Sequence, residues 1–264
     1  FSKGASMTDI AAIQAAAQRM AGHVRETPLL NAPLLDRAFG RRIFVKAECL
    51  QVTGSFKARG GWSAVSALSE AARKRGVIAY SSGNHAQGVA YAAAAHASPC
   101  VILMPSDAPQ VKIANTRSYG AEVVLYDRAT TDRDALGADM SAKRGLTLIK
   151  PFDDPMVIAG QGTVGLELSR QTVAAGITKA EVFVCCGGGG LASGIALALE
   201  HHAPGLTVRT AAAQAGRLLH LEPRQQLARR QRLEICVGGA KGLGDGLVLL
   251  GQHAAGGINQ AAAR

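Results

Sequence analysis

The sequence predicts an α/β fold built from parallel βαβ units, and three observations carry that reading. Short apolar strands alternate with longer helical segments from residue 42 to residue 201. The connections between them are short, as successive layers of a parallel sheet require. With 264 residues and 48% hydrophobic content, the chain can bury one large core or two modest ones.

Residues 9–23 read as a helix: Asp9 is a capping residue, and Ile10, Ile13, Ala17 and Met20 recur at helical spacing. Thr27-Pro28-Leu29-Leu30 ends it. A strand over 42–48 is centred on Ile43-Phe44-Val45, and after Cys49-Leu50-Gln51 a helix opens in the run 53–60 and continues through Leu68. Residues 76–80 form a short strand, and the alanine-rich segment 86–97 a helix. The unit then repeats as strand 100–104, helix 109–119, strand 122–126, helix 131–144 and strand 146–149. A helix over 158–176, a very apolar strand over 181–185, a helix over 191–201 and the strand Leu206-Thr207-Val208-Arg209 complete the pattern. There is no long linker and no repeat beyond the βα unit.

Composition narrows the function. No apolar run approaches the ~20 residues of a membrane span. Residues 1–6 lack a charged-then-apolar leader pattern, and Met7 is a candidate start. A cytoplasmic chain without a membrane role is the expectation. The cysteines Cys49, Cys100, Cys185, Cys186 and Cys236 are odd in number and lack the paired spacing of a zinc site, and Cys185-Cys186 at the end of an apolar strand reads as small buried hydrophobes. The net charge of +10 has half its excess in residues 207–264, and at 4% the aromatics are too few for base-stacking platforms, so no nucleic-acid partner is expected.

Three motifs carry the chemistry. Thr53-Gly54-Ser55-Phe56-Lys57-Ala58-Arg59-Gly60 puts one lysine between apolar and small neighbours at a helix start. A lysine that attacks a carbonyl must be neutral, and desolvation lowers its pKa from ~10.4 toward that condition. Phe56, Gly54 and Gly60 offer such a setting, although a surface lysine at a helix start fits the run alone. Gly187-Gly188-Gly189-Gly190, followed by Leu191 and a helix, can turn several backbone N–H groups toward one phosphate, aided by the helix dipole. Tight strand-to-helix packing would also use such glycines. Ser81-Ser82-Gly83-Asn84-His85 stands at another helix start, where hydroxyls and free N–H groups suit a substrate carboxylate or serve as an ordinary cap.

Together and in this order, the motifs resemble the pyridoxal-phosphate enzymes of the tryptophan-synthase-β fold, and within them the threonine/serine dehydratase and serine racemase group. The resemblance runs from about Ile13 to Val208. It implies two interleaved, open, twisted parallel-sheet domains (fold type II): a large cofactor-binding domain of residues 1–75 and 153–264, and a small inserted domain of residues 76–152. Lys57 is then the Schiff-base lysine and the base for the α-proton. Phe56, Asn84, Gly187, Gly188, Gly189, Gly190 and Leu191 join it around pyridoxal 5'-phosphate, with Asn84 on the cofactor's phenolic oxygen. Ser81, Ser82, Gly83, Asn84 and His85 bind substrate, and Ser82 matches the second acid or base of the racemases. His85 is implied to shape the loop. The implied reaction is dehydration and deamination of L-threonine or L-serine to a 2-oxo acid and ammonia, with racemisation as the alternative and a homodimer as the assembly. Gln161-Gly162-Thr163 resembles a stretch near the active site, but glycine packing explains it equally well.

The resemblance stops in the tail. The family's acidic cluster for a divalent cation (Mg or Ca) is replaced by Thr210-Ala211-Ala212-Ala213-Gln214-Ala215-Gly216-Arg217, so no metal ligand is assigned. No partner for the pyridine nitrogen is found in 209–264, a stretch that reads as a divergent or out-of-frame ending. A relative that binds cofactor without turnover is therefore a third reading. Within the tail, Ile235-Cys236-Val237 reads as a strand, followed by turns at Gly238, Gly239, Gly242, Gly244 and Gly246.

Overall fold

The computed structural model of the chain describes residues 8–214, 217–219 and 246–250. Helix α1 (Ile10–Met20) is capped by the Asp9 carboxylate, which accepts from the Ala12 N–H, and it buries Ile13, Ala16 and Met20. Strand β1 (Leu29–Asn31), α2 (Pro33–Phe39) and β2 (Arg42–Lys46) follow, then a 3₁₀ turn, Glu48–Leu50, and α3 (Lys57–Ser66). A short α4 (Glu70–Arg75) leads into the alternation β3 (Val77–Tyr80), α5 (Asn84–Ala95), β4 (Cys100–Pro105), α6 (Gln110–Ser118), β5 (Glu122–Tyr126), α7 (Arg133–Arg144) and β6 (Thr147–Leu148). The chain continues through α8 (Pro155–Ala174), β7 (Ala180–Cys185), α9 (Gly190–His202), β8 (Leu206–Gln214), β9 (Arg217–Leu219) and β10 (Gly246–Leu250).

The strands form two sheets. The smaller, in the order β5-β4-β3-β6, is parallel throughout. Its inner strands β3 and β4 are buried along their whole length, as strands covered on both faces must be. The larger, in the order β1-β2-β10-β7-β8-β9, is parallel through its four inner strands and antiparallel at both edges. The edges depart from the expected parallel pattern because the connections from β1 to β2 and from β8 to β9 are too short for a crossover.

Sequence periodicity places the βα units within a few residues but misses α2 and α4, which are two turns or less and lack a repeating apolar face. It also misses β10. Gly246 opens that strand rather than a turn, and Gly-Leu-Val-Leu-Leu pairs in parallel with β2 on one side and β7 on the other. A short apolar run with no alternation is the mark of a central parallel strand, and here neighbouring glycines hide it. The strand read at Ile235-Cys236-Val237 lies outside the described residues. Among the described residues, no helix is long and apolar enough to cross a membrane.

Helix α3 is fixed on both flanks by backbone approach. A Cβ on Gly88 of α5 would stand 2.5 Å from the Lys57 carbonyl oxygen, and one on Gly160 of α8 would stand 2.4 Å from that of Arg59. Beneath it lies a buried ionic network. Arg59 donates through Nε and Nη2 to both oxygens of Glu48 (2.9 and 2.8 Å) and through Nη1 and Nη2 to those of Glu167 (2.5 and 2.9 Å). Lys46 Nζ donates to Glu167 Oε2 (2.5 Å), the Thr27 carbonyl (2.6 Å) and Gln171 Oε1 (3.0 Å). Two cations and two anions thus tie β2, the 3₁₀ turn, α3 and α8 at one point. Burial opposes ionisation of Glu167, but Arg59 and Lys46 outweigh it and hold its pKa below the usual carboxylate range.

Candidate active site

Lys57 is the first residue of α3, and its side chain enters a cavity of about 380 Å³. The wall consists of Phe56, Lys57, Asn84, Pro151, Phe152, Gln161, Cys185, Cys186, Gly187, Gly188, Gly189, Gly190 and Leu191. Lys57 Nζ donates to the Pro151 carbonyl oxygen (2.6 Å) and lies 5.2 Å from the centre of the Phe56 ring. Neither is a counter-ion. Burial therefore lowers the Lys57 pKa to about 8, against a slight opposing effect of Cys185. At pH 7 about a tenth of such amines are neutral, against a few in ten thousand for an unperturbed lysine.

The glycine loop runs from the end of β7 into α9. Gly189 adopts the left-handed conformation (φ 87°), and its carbonyl accepts from the Ser193 N–H as the helix begins. Segment 151–153 lies across this loop. A Cβ on Gly188 would meet the Phe152 ring at 2.1 Å, and one on Gly190 would meet the Phe152 carbonyl oxygen at 2.5 Å. Only glycine leaves that space open, and α9 has no acidic residue in its first turn to compete with an anion. A partly neutral primary amine facing such a cradle fits a phosphorylated aldehyde cofactor.

Asn84 opens α5, and its Oδ1 accepts from Lys112 Nζ (2.8 Å). Ser81 Oγ accepts from the Gly83 N–H (3.1 Å), which closes the loop on itself. Ser82 is exposed. Of the serine-loop residues singled out in the sequence, Asn84 joins the wall; Ser81, Ser82, Gly83 and His85 lie outside it. His85 is buried, and its Nε2 donates to the Ile149 carbonyl (3.0 Å). Burial first, then the Lys57 charge, lowers its pKa to about 3 against the opposing Ile149 bond. A histidine this hard to protonate ties the loop to Ile149, just past β6, rather than cycling protons.

Sequence reasoning missed Pro151, Phe152, Gln161, Cys185, Cys186 and Lys112. Gln161 had a signal, the Gln161-Gly162-Thr163 stretch, and both readings of it hold. Gly162 packs against Ile13 and the Gly194 carbonyl, while Gln161 reaches the cavity. The cysteines are half-buried wall residues rather than core, and burial raises the pKa of both thiols. Among the described residues, no group of three His, Cys, Asp or Glu could hold a metal ion. The side chains of residues 211–217, where the cation cluster is replaced, lie outside the description.

Comparison with known proteins agrees with this geometry. The chain is 49% identical over 189 residues to an L-threo-3-hydroxyaspartate ammonia-lyase of Pseudomonas sp., covering 72% of this chain and 58% of the relative. It is 43% identical to a serine racemase of Schizosaccharomyces pombe, covering 77% and 62%. The chain thus spans about three fifths of the length of these curated relatives. Among solved structures, a serine racemase of maize superposes with a TM-score of 0.74 at 35% identity, covering 78% of this chain and 61% of that one. The family model described as "Pyridoxal-phosphate dependent enzyme" matches residues 20–252, past Val208 and through β10. With Lys57, Asn84 and the glycine loop all inside that span and gathered on one cavity, the chain belongs to the family of pyridoxal-phosphate dependent enzymes.

Proposed function

We propose that the chain carries the catalytic core of an ammonia-lyase for β-hydroxy amino acids, converting L-threonine, L-serine or a 3-hydroxylated relative into a 2-oxo acid and ammonia. The observation that carries this reading is the desolvated amine of Lys57, which has no counter-ion, facing a glycine cradle across one cavity. When bound there, pyridoxal phosphate supplies an electron sink for negative charge at the substrate Cα.

The residues divide the remaining work. The N–H groups of the loop 187–190 and the start of α9 hold the phosphate, with Phe152 closing the loop from the other side. Asn84, oriented by Lys112, offers its amide N–H donors to the cofactor's phenolic oxygen. With the cofactor in place, Lys57 Nζ would be the neutral amine beside the substrate Cα and would take its proton. Loss of the β-hydroxyl as water and hydrolysis of the resulting imine, which returns one water, release the 2-oxo acid and ammonia. Phe56, whose ring centre lies 5.2 Å from the amine, and Leu191 are apolar members of the same wall.

The racemase alternative requires a second acid or base on the opposite face of Cα. Ser82 is its candidate, and its exposed position outside the wall favours elimination. The test is to supply the cofactor and follow 2-oxo acid and ammonia from L-threonine, L-serine and L-threo-3-hydroxyaspartate alongside D/L interconversion of serine. The lyase reading expects oxo acid to outpace racemisation. Racemisation without oxo acid, or cofactor binding without either, would replace it.

A further inference from the structure

We propose that Gln161 is a specificity-determining residue whose amide recognises the β-hydroxyl of the bound amino acid, donating to it through Nε2 and accepting its proton through Oε1. The inference rests on the lyase reading and deepens it. Gln161 is 1% exposed, and neither amide atom has a hydrogen-bond partner among the described residues. An amide left unpaired in the interior forfeits its hydrogen bonds to water with nothing in return, so such an arrangement points to a ligand that completes it.

Position and rigidity say where that ligand lies. Gln161 shares the cavity wall with Lys57, on the α8 face that meets the first turn of α3. A Cβ on Gly60 would stand 2.6 Å from Gln161 Nε2 and 2.9 Å from Val157 Cγ1, so the amide fits there only because residue 60 is glycine. The other neutral amide of the wall, Asn84, already uses its oxygen to accept from Lys112, and the Pro151 carbonyl already accepts from Lys57.

The chemistry of the amide then selects the partner. A carboxylate or phosphate only accepts, so it would satisfy Nε2 and leave Oε1 bare; an ammonium only donates and would do the reverse. A hydroxyl does both. Of the groups on a β-hydroxy amino acid, the β-hydroxyl alone matches the unpaired donor and acceptor together.

The test compares L-serine with L-alanine, which lacks only the hydroxyl. Holoenzyme is mixed with each in a stopped-flow instrument, and the concentration giving half of the first change in cofactor absorbance is measured before product accumulates. Serine is expected to act at about tenfold lower concentration than alanine. In Gln161→Met the serine value should rise until the ratio falls below about threefold, with the alanine value unchanged. Equal weakening of both, or an unchanged ratio, would reduce Gln161 to a structural role. If Gln161→Met takes up no cofactor, Gln161→Glu replaces it: the isosteric side chain donates and accepts only while protonated, so its preference for serine should fall as pH rises. A preference independent of pH overturns the proposal. If wild-type holoenzyme answers neither amino acid, the lyase reading fails and takes this inference with it, whereas a response with an unaltered ratio removes this inference alone.

Discussion

Lys46 and Lys57 lie eleven residues apart, each withdrawn from bulk water, one at the end of β2 and the other at the start of α3. Lys46 meets a carboxylate, a backbone carbonyl and an amide oxygen, and Glu167 pulls back up the pKa that burial pulls down. Lys57 meets one neutral carbonyl and drops to about 8. Burial lowers both; the partner decides what the amine is for. The paired lysine helps lock α3 against α8, and that lock holds the unpaired one at the cavity. A buried ammonium without a counter-ion is destabilising, so Lys57 marks a place where the fold gives up stability for reactivity.

Breaking the paired side should have the largest effect. Glu167→Ala leaves Lys46 without its anion and Arg59 with one of two, and removing one member of a buried ionic cluster costs about 3–5 kcal/mol. Denaturant unfolding should show that loss, or the variant should fail to accumulate folded.

Removing the unpaired lysine should act in the opposite direction. The Lys57 pKa falls from 10.5 unfolded to about 8 folded, so the folded apoprotein pays for protonation at all pH values below about 8. Lys57→Met should therefore stabilise the apoprotein by about 3 kcal/mol at pH 7. The unfolded state binds more protons between pH 8 and 10.5, so wild-type stability rises through that window and the advantage of the variant disappears by its upper end. Urea midpoints at pH 7, 9 and 10.5 test the sign. A variant less stable than wild type at pH 7 would mean that Lys57 is a structural lysine like Lys46.

Gly188→Ala asks whether the free amine suffices without the cradle. The added Cβ falls 2.1 Å from the Phe152 ring, and cofactor affinity read by absorbance titration should drop about tenfold or more. Phe152→Ala in the same chain should restore part of it. Lys112 gives the smallest effect. It is half-buried and donates to a neutral amide, so Lys112→Met should change stability by about 0.5–1 kcal/mol and cofactor affinity by about fivefold or less.

The difference between the two lysines also explains what the sequence could show. Lys57 was legible because its neighbours Gly54, Phe56 and Gly60 are local and because two further motifs follow at βα spacing. Asn84 and the loop 187–190 were legible for the same reason, each sitting where a strand hands over to a helix. The partners of Lys46 were not, because Glu48, Arg59 and Glu167 meet only once β2, α3 and α8 pack together. Pro151 and Phe152 belong to that class too, since they join the wall from about a hundred residues beyond Lys57 in the sequence. Strand β10 was hidden by glycines that signal turns, although its apolar run completes the larger sheet.

The central claim is that Lys57, and no other lysine, is the amine that takes up the cofactor. Apoprotein should be incubated with pyridoxal phosphate from pH 6 to 10, reduced with borohydride, and digested for peptide mass mapping. The expected result is a reduced adduct on Lys57 whose rate of formation rises with a midpoint near pH 8, and no adduct of comparable rate in Lys57→Ala. An adduct centred on Lys46, Lys112 or another lysine, or a Lys57 midpoint above pH 10, would contradict it.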